Sequence, residues 1–313
     1  MAANDLVGRI GSLEERLTAL EARLAAMANG KAAANHAVAP PAAPAEPIHP
    51  WKLDANHLFA LTDDLYAAVK ADPCAAFSFD RNGSNYLDAH ARNVSKMGMF
   101  IAAQHGFSEA SVRAIGLCGL LHDAGMDSLP HDFVRQGRPL TPEEYRQVRL
   151  HPRAGADYVR QHFRFQGLLD TVVPAAVEQH HERFDGSGYP QGLAGDKIHN
   201  FARVLAIADS FEAMSTPRPF RAPMDQPEAM RSLLVQGWRS AGGMYDPDML
   251  KTFVWAASLY PLGSDVKLSD GRRVRVIAAT DDPKSPVVRT IPDGAGPEET
   301  IDLSKNRHVS VAG

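Results

Sequence analysis

Seven side chains able to ligate a metal recur along the middle of the chain: His90, the pair His122-Asp123, His151, the pair His180-His181, and Asp209. Successive groups stand about thirty residues apart, near the length of a helix and its return. Such spacing can put one ligand group on each helix, all facing a common centre. A single histidine near a helix end is usually a hydrogen-bonded structural residue. Asp209 is harder to set aside. In ARVLAIADSFEAM it shares a helix side with Leu205 and Ala208, and burying a bare carboxylate there is costly unless a cation pairs with it. His180 and His181 follow Val173, Ala176 and Val177 on an apolar stripe. Neighbours on a helix differ by only about 100°, so both rings can lean toward one cavity.

Five histidines and two aspartates exceed what one tetrahedral zinc site uses. They suit two adjacent divalent ions with mixed imidazole and carboxylate ligands, Fe or Mn rather than all-oxygen Mg. Asp123 is the natural bridge, because a carboxylate can offer one oxygen to each ion. Two cations sharing a water would make it a hydroxide near neutral pH and neutralise a phosphoryl transition state. The chemistry is hydrolysis of a phosphate ester.

Helices must position these residues. From residue 51 to about 260 the apolar period is helical nearly throughout. Val94, Met97 and Ile101 share one face, and Ser108 is placed to N-cap a helix carrying Ile115, Leu120 and Leu121. Thr141-Pro142-Glu143-Glu144 reads as a capping box with proline at the first helical position. Phe201, Leu205 and Ala208 define another buried face, and Asp246-Pro247 opens a last helix running through Phe253, Trp255 and Leu259. The expected fold is an all-α helical bundle. After Pro261 the pattern changes to alternation. Val266 and Leu268, an Asp270-Gly271 turn, then Val274 and Val276 predict a hairpin, with further strands near Val287 to Ile291 and Ile301 to Leu303. Residues 261–313 are therefore expected to form a small β-rich tail.

Ahead of the bundle, residues 4–28 carry a heptad of Leu6, Ile10, Leu13, Leu17, Leu20, Leu24 and Met27. That is the a/d seam of a coiled coil. Arg9 and Arg16 at g face Glu14 and Glu21 at e, which suits a parallel homodimer. Residues 29–50 are Ala/Pro-rich and read as a semi-rigid linker.

Composition narrows the partners. The net charge of −4 supplies no global positive field for DNA, RNA or an anionic membrane. No stretch approaches the roughly 20 apolar residues of a membrane span. The start of the chain lacks a secretory pattern, and Cys74 and Cys118 have no zinc spacing. A cytoplasmic location is expected.

His122-Asp123 resembles the HD motif of the HD hydrolase superfamily, and HHERFDGSGYPQGL at 180–193 resembles the signature of its HD-GYP branch. LTPEEY, HPRAGA, ARVLAIADSFEAM, RPFR and YDPDML follow in that family's order, and the resemblance spans roughly residues 85–255. It implies opening of a 3′,5′-phosphodiester of cyclic di-GMP, or a related cyclic dinucleotide, to linear pGpG and sometimes GMP. It assigns His90, His122, Asp123, His151, His180, His181 and Asp209 as metal ligands, with His122 and Asp123 at the catalytic centre. Tyr189, Arg218 and Arg221 match positions that contact the ligand. Two departures stand out. Tyr86 occupies the place of a glutamate found in members with three metals, which favours two. Met126 replaces the lysine of the usual HDxGK, which opens an alternative: a weak or inactive domain that acts as a cyclic di-GMP receptor.

Overall fold

The computed structural model describes residues 49–79, 86–130, 138–218, 221–237, 243–291, 298–306 and 308–312. The heptad of residues 4–28 and the linker up to residue 48 lie outside the described residues. His49 and Pro50, at the end of the Ala/Pro-rich stretch, are packed: Pro50 opens a 3-10 turn, Pro50–Lys52, in which Pro50 and Trp51 are buried.

Among the described residues the main helices are α1 (Ala55–Ala71), α2 (Tyr86–His105), α3 (Glu109–Leu121), α4 (Pro142–Val148), α5 (His151–His162), α6 (Leu169–Gln179), α7 (Asn200–Ser215), α8 (Gln226–Gly237) and α9 (Pro247–Ala257). Local signals set their starts. Ser108 accepts from the Ser111 amide. Thr141 and Glu144 form the reciprocal capping box, and Asp246 accepts from the amides of Asp248 and Met249. These contacts satisfy donors that a first helical turn leaves unpaired.

The core runs between α2, α3, α7 and α9. Val94, Met97 and Ile101 on α2 and Ile115 on α3 are fully enclosed, as are Leu205 and Ala208 on α7. Phe77, Phe100, Phe211 and Phe253 interlock, with Phe77–Phe100 at 5.1 Å edge-on and Phe211–Phe253 at 5.3 Å. The last helix stops earlier than the sequence suggests. It ends at Ala257, Ser258 turns the chain at φ 73°, and Leu259 lies beyond it. Trp255 on this helix is 44% exposed, whereas Phe253 is fully buried.

Four strands follow, β1 (Asp265–Lys267), β2 (Arg273–Ala278), β3 (Val287–Thr290) and β4 (Thr300–Asp302), as one antiparallel sheet in the order β1-β2-β3-β4. Val266 pairs with Val274, and Val276 with Val288, so their side chains share one face. That face joins the helical core, because Val274, Val276, Val288 and Ile301 belong to the same buried cluster as Phe253. Polar contacts reinforce the seam: Ser258 donates to the Pro283 carbonyl at 2.8 Å, and Ser264 to Gln226 at 3.2 Å. No helix among the described residues is long and apolar enough to cross a membrane.

Candidate metal centre

His122 and His180 directly follow helices, and His151 opens α5 three residues after α4. α3 ends at Leu121, α4 at Val148 and α6 at Gln179. Nδ1 of His122, His151 and His180 lies 2.8, 2.7 and 2.7 Å from the carbonyl oxygens of Gly119, Val148 and Val177. A helix terminus leaves such carbonyls without partners. A carbonyl only accepts, so each Nδ1 carries a proton and each Nε2 faces inward. His180 and His181 thus converge from a helix end and the turn after it, rather than from a continuous helix.

His90 comes from within α2 and is oriented differently. Its Nδ1 donates to Glu212 Oε2 at 2.6 Å. Glu212 also accepts from Asn93 at 3.1 Å and pairs with Arg218 at 3.2 Å. It lies one turn after Asp209 on α7, and both are buried.

All seven residues meet. His90 Nε2 and His122 Nε2 are 3.2 Å apart, and His151 Nε2 and His180 Nε2 are 3.3 Å apart. Two groups result, His90-His122-Asp123 and His151-His180-His181, with the ligand atoms of each within 4.8 Å of one another. Asp123 lies between them. Its Oδ2 is 3.4 Å from His122 and 3.6 Å from His90, while its Oδ1 is 3.2 Å from His151 and 4.0 Å from His180. Asp209 spans the same gap, with Oδ1 3.3 Å from His90 and Oδ2 3.7 Å from His181. Atoms bound at roughly 2.0–2.2 Å to one cation stand about 3 Å from each other, so these separations suit a shared cation.

The electrostatics agree. Burial drives the His180 imidazole down to about 3, with His122 and His151 adding to it. Burial likewise pushes His181 well below its ordinary value. Both rings are therefore neutral, the form a metal binds. Burial opposes charge on Asp123, yet the imidazoles of His122 and His151 outweigh it and hold the carboxyl well below the usual range. Asp209 behaves the same way through His90 and His181. One buried polar atom, His181 Nδ1, has no hydrogen-bond partner among the described residues. Neutral imidazole lone pairs, two ionised carboxylates and an unsatisfied buried nitrogen fit a pair of divalent cations.

The surrounding loops are held tightly. Asp123 leads into a 3-10 turn, Ala124–Ser128. A Cβ on Gly125 would lie 2.0 Å from the His151 carbonyl oxygen and 2.5 Å from the Gly155 nitrogen. Trp51 Nε1 donates to Asp127 at 3.1 Å, Lys52 pairs with the same carboxylate, and Tyr158 on α5 donates to the Trp51 carbonyl at 3.0 Å. Met126 is half-buried in the same turn.

On the other side, the buried Glu182 accepts from the amides of Gln191 and Leu193 at 2.7 and 3.0 Å. This shapes the Gly188-Tyr189-Pro190 loop, and a Cβ on Gly188 would press 2.3 Å from the Arg183 nitrogen. The Tyr189 ring rests 4.7 Å from that of His181. Arg218 stacks over Tyr86 at 4.3 Å while pairing with Glu212, which places it behind His90. Arg221 donates to the Ala213 carbonyl. Glu212 and Glu182 escaped the sequence reading. Glu212 carried a signal, a carboxylate three residues after Asp209 on a buried helical face; Glu182 carried none apart from its place in the motif.

An HD domain family model matches residues 82–249, more than half of the chain. The cyclic di-GMP phosphodiesterase PA4108 of Pseudomonas aeruginosa is 34% identical over 222 residues, which is 70% of this chain and 51% of that protein. The 3'3'-cGAMP-specific phosphodiesterase 1 of Vibrio cholerae is 29% identical, over 60% of this chain and 40% of its own length. The chain thus spans about half the length, or less, of these relatives. Among solved structures, Bd1817, an HDG"Y"P protein from Bdellovibrio bacteriovorus, superposes with a TM-score of 0.51 at 20% identity, over 63% of this chain and 61% of that one. With the family match, the motif order and the convergent ligands in hand, the chain belongs to the HD domain family and carries the motif set of its HD-GYP branch.

Proposed function

We propose that this domain is a metal-dependent phosphodiesterase that opens a cyclic dinucleotide, cyclic di-GMP foremost, to linear pGpG. The observation that carries the reading is Asp123, whose two oxygens face separate histidine groups 3.2–3.6 Å away. The names of the Pseudomonas and Vibrio relatives support the substrate class. Two divalent ions, Fe or Mn, would supply Lewis acidity and an activated water. His90, His122, His151, His180, His181, Asp123 and Asp209 would hold them, Asp123 and Asp209 each facing histidines of both groups. Tyr189 presents its ring at the mouth. Arg221 and Arg218 follow the resemblance as ligand contacts, Arg218 acting also on His90 through Glu212. The heptad of residues 4–28 pairs two copies in parallel.

Met126 supports a second reading, a receptor that binds cyclic di-GMP with little turnover. A lysine there would add one charge-assisted hydrogen bond, about 1.5–3 kcal/mol, so its absence slows hydrolysis roughly ten- to hundredfold. Protein purified anaerobically with Fe or Mn separates the readings. The phosphodiesterase converts cyclic di-GMP to a linear product, and Asp123→Ala abolishes this. Stoichiometric binding without product, with turnover gained in Met126→Lys, identifies the receptor instead.

A further inference from the structure

We propose that Arg149 is a specificity-determining residue that takes the phosphodiester of the cyclic dinucleotide that is not being hydrolysed. The inference rests on the function proposed above. Arg149 directly follows α4 and stands two residues before His151. Its guanidinium carbon lies 4.8 Å from the centre of the Tyr189 ring. That ring in turn lies 4.7 Å from the ring of His181. Arg149 is thus separated from the metal-binding group by one aromatic side chain.

Several neighbouring arginines are occupied. Arg138 pairs with Glu144, Arg146 with Glu143, and Arg160 with Asp157 and Glu178. Nearer the candidate centre, Arg183 donates to the carbonyls of His180 and Glu182, while Arg221 and Arg218, the other proposed ligand contacts, already donate to Ala213 and Glu212. Arg149 is exposed, and its guanidinium has no carboxylate or carbonyl partner among the described residues. Stacking on an aromatic face fixes the plane of a guanidinium and leaves its N–H edge free. That edge matches the paired oxygens of a phosphodiester.

The substrate chemistry calls for such a group. A cyclic dinucleotide carries two phosphodiesters on opposite sides of one ring. With the first at the metal centre, the second is held away from it and needs its own cation. The deep part of the site offers carboxylates and neutral imidazoles, which repel or ignore a second anion.

The test compares wild type, Arg149→Met and Arg149→Lys, all Mn-loaded, on two substrates. Cyclic di-GMP has two phosphodiesters, and bis(p-nitrophenyl) phosphate has one. For Arg149→Met, kcat/KM on cyclic di-GMP is expected to fall at least about tenfold more than on the single diester, mainly through KM. The lysine variant recovers part of that loss, since it keeps the charge without the planar fork. Equal losses on both substrates, or none, overturn the inference. Wild-type protein that cleaves bis(p-nitrophenyl) phosphate yet neither binds nor cleaves cyclic di-GMP overturns the proposed function, and this inference with it. A wild type that acts on cyclic di-GMP as Arg149→Met does overturns this inference alone.

Discussion

Glu212 and His90, 122 residues apart in sequence, share a hydrogen bond of 2.6 Å in the interior. The carboxylate can only accept, so it fixes the proton on Nδ1 and aims Nε2 at Asp209, Asp123 and His122. A carboxylate behind a ligating imidazole raises its basicity and locks its orientation.

Glu212→Gln keeps the size of this partner and removes its charge. The variant is expected to fold and to bind Mn about 10- to 100-fold more weakly, read by chelator competition. Unaltered affinity would show that Glu212 does not support His90 as a ligand.

Metal loading should also release protons. Burial alone would strip the charge from His90, but the Glu212 and Asp209 carboxylates outweigh it and hold the imidazole well above its ordinary value. Near neutrality the metal-free protein therefore carries His90 protonated at both nitrogens, and ligation through Nε2 must expel one proton. A proton competes with the metal, so affinity weakens as pH falls and strengthens as pH rises toward the folded-state value of His90. His180, held down to about 3, contributes no proton in this range. Titration calorimetry in buffers of different ionisation heat should report net proton release on metal binding. Buffer-independent heats would contradict this assignment.

Trp51 ties the start of the described chain to the turn that follows Asp123. Its side chain is 1% exposed and its indole donates to Asp127. Trp51→Ala should cost about 3–5 kcal/mol in urea unfolding. Trp51→Phe, which keeps most of the packing and loses the hydrogen bond, should cost about 1–2 kcal/mol. A smaller loss for alanine than for phenylalanine would mean the indole is not seated as described.

The convergence of the seven candidate ligands was legible because their types are rare on apolar helical faces and their spacing matches helix and return. The helix caps at Ser108, Thr141 and Asp246 were legible for a local reason, since a cap depends on residues only three positions apart. Glu212 was hidden because its partner lies 122 residues away, and no local pattern encodes that meeting. Arg149 was hidden likewise, for its stacking depends on where the Tyr189 loop settles. The end of α9 was misplaced, because the apolar spacing continues to Leu259 whereas the helix stops at Ala257 and Ser258 turns the chain.

Gly125 has a wider consequence. Where this residue lies against His151 and Gly155, main chain meets main chain, and no rotamer change can absorb a displacement. Asp123 on one side of that joint and His151 on the other therefore keep a separation dictated by the polypeptide. A side chain at this joint would have to push the Asp123 turn and the start of α5 apart, so a single added methyl reaches two of the converging groups at once.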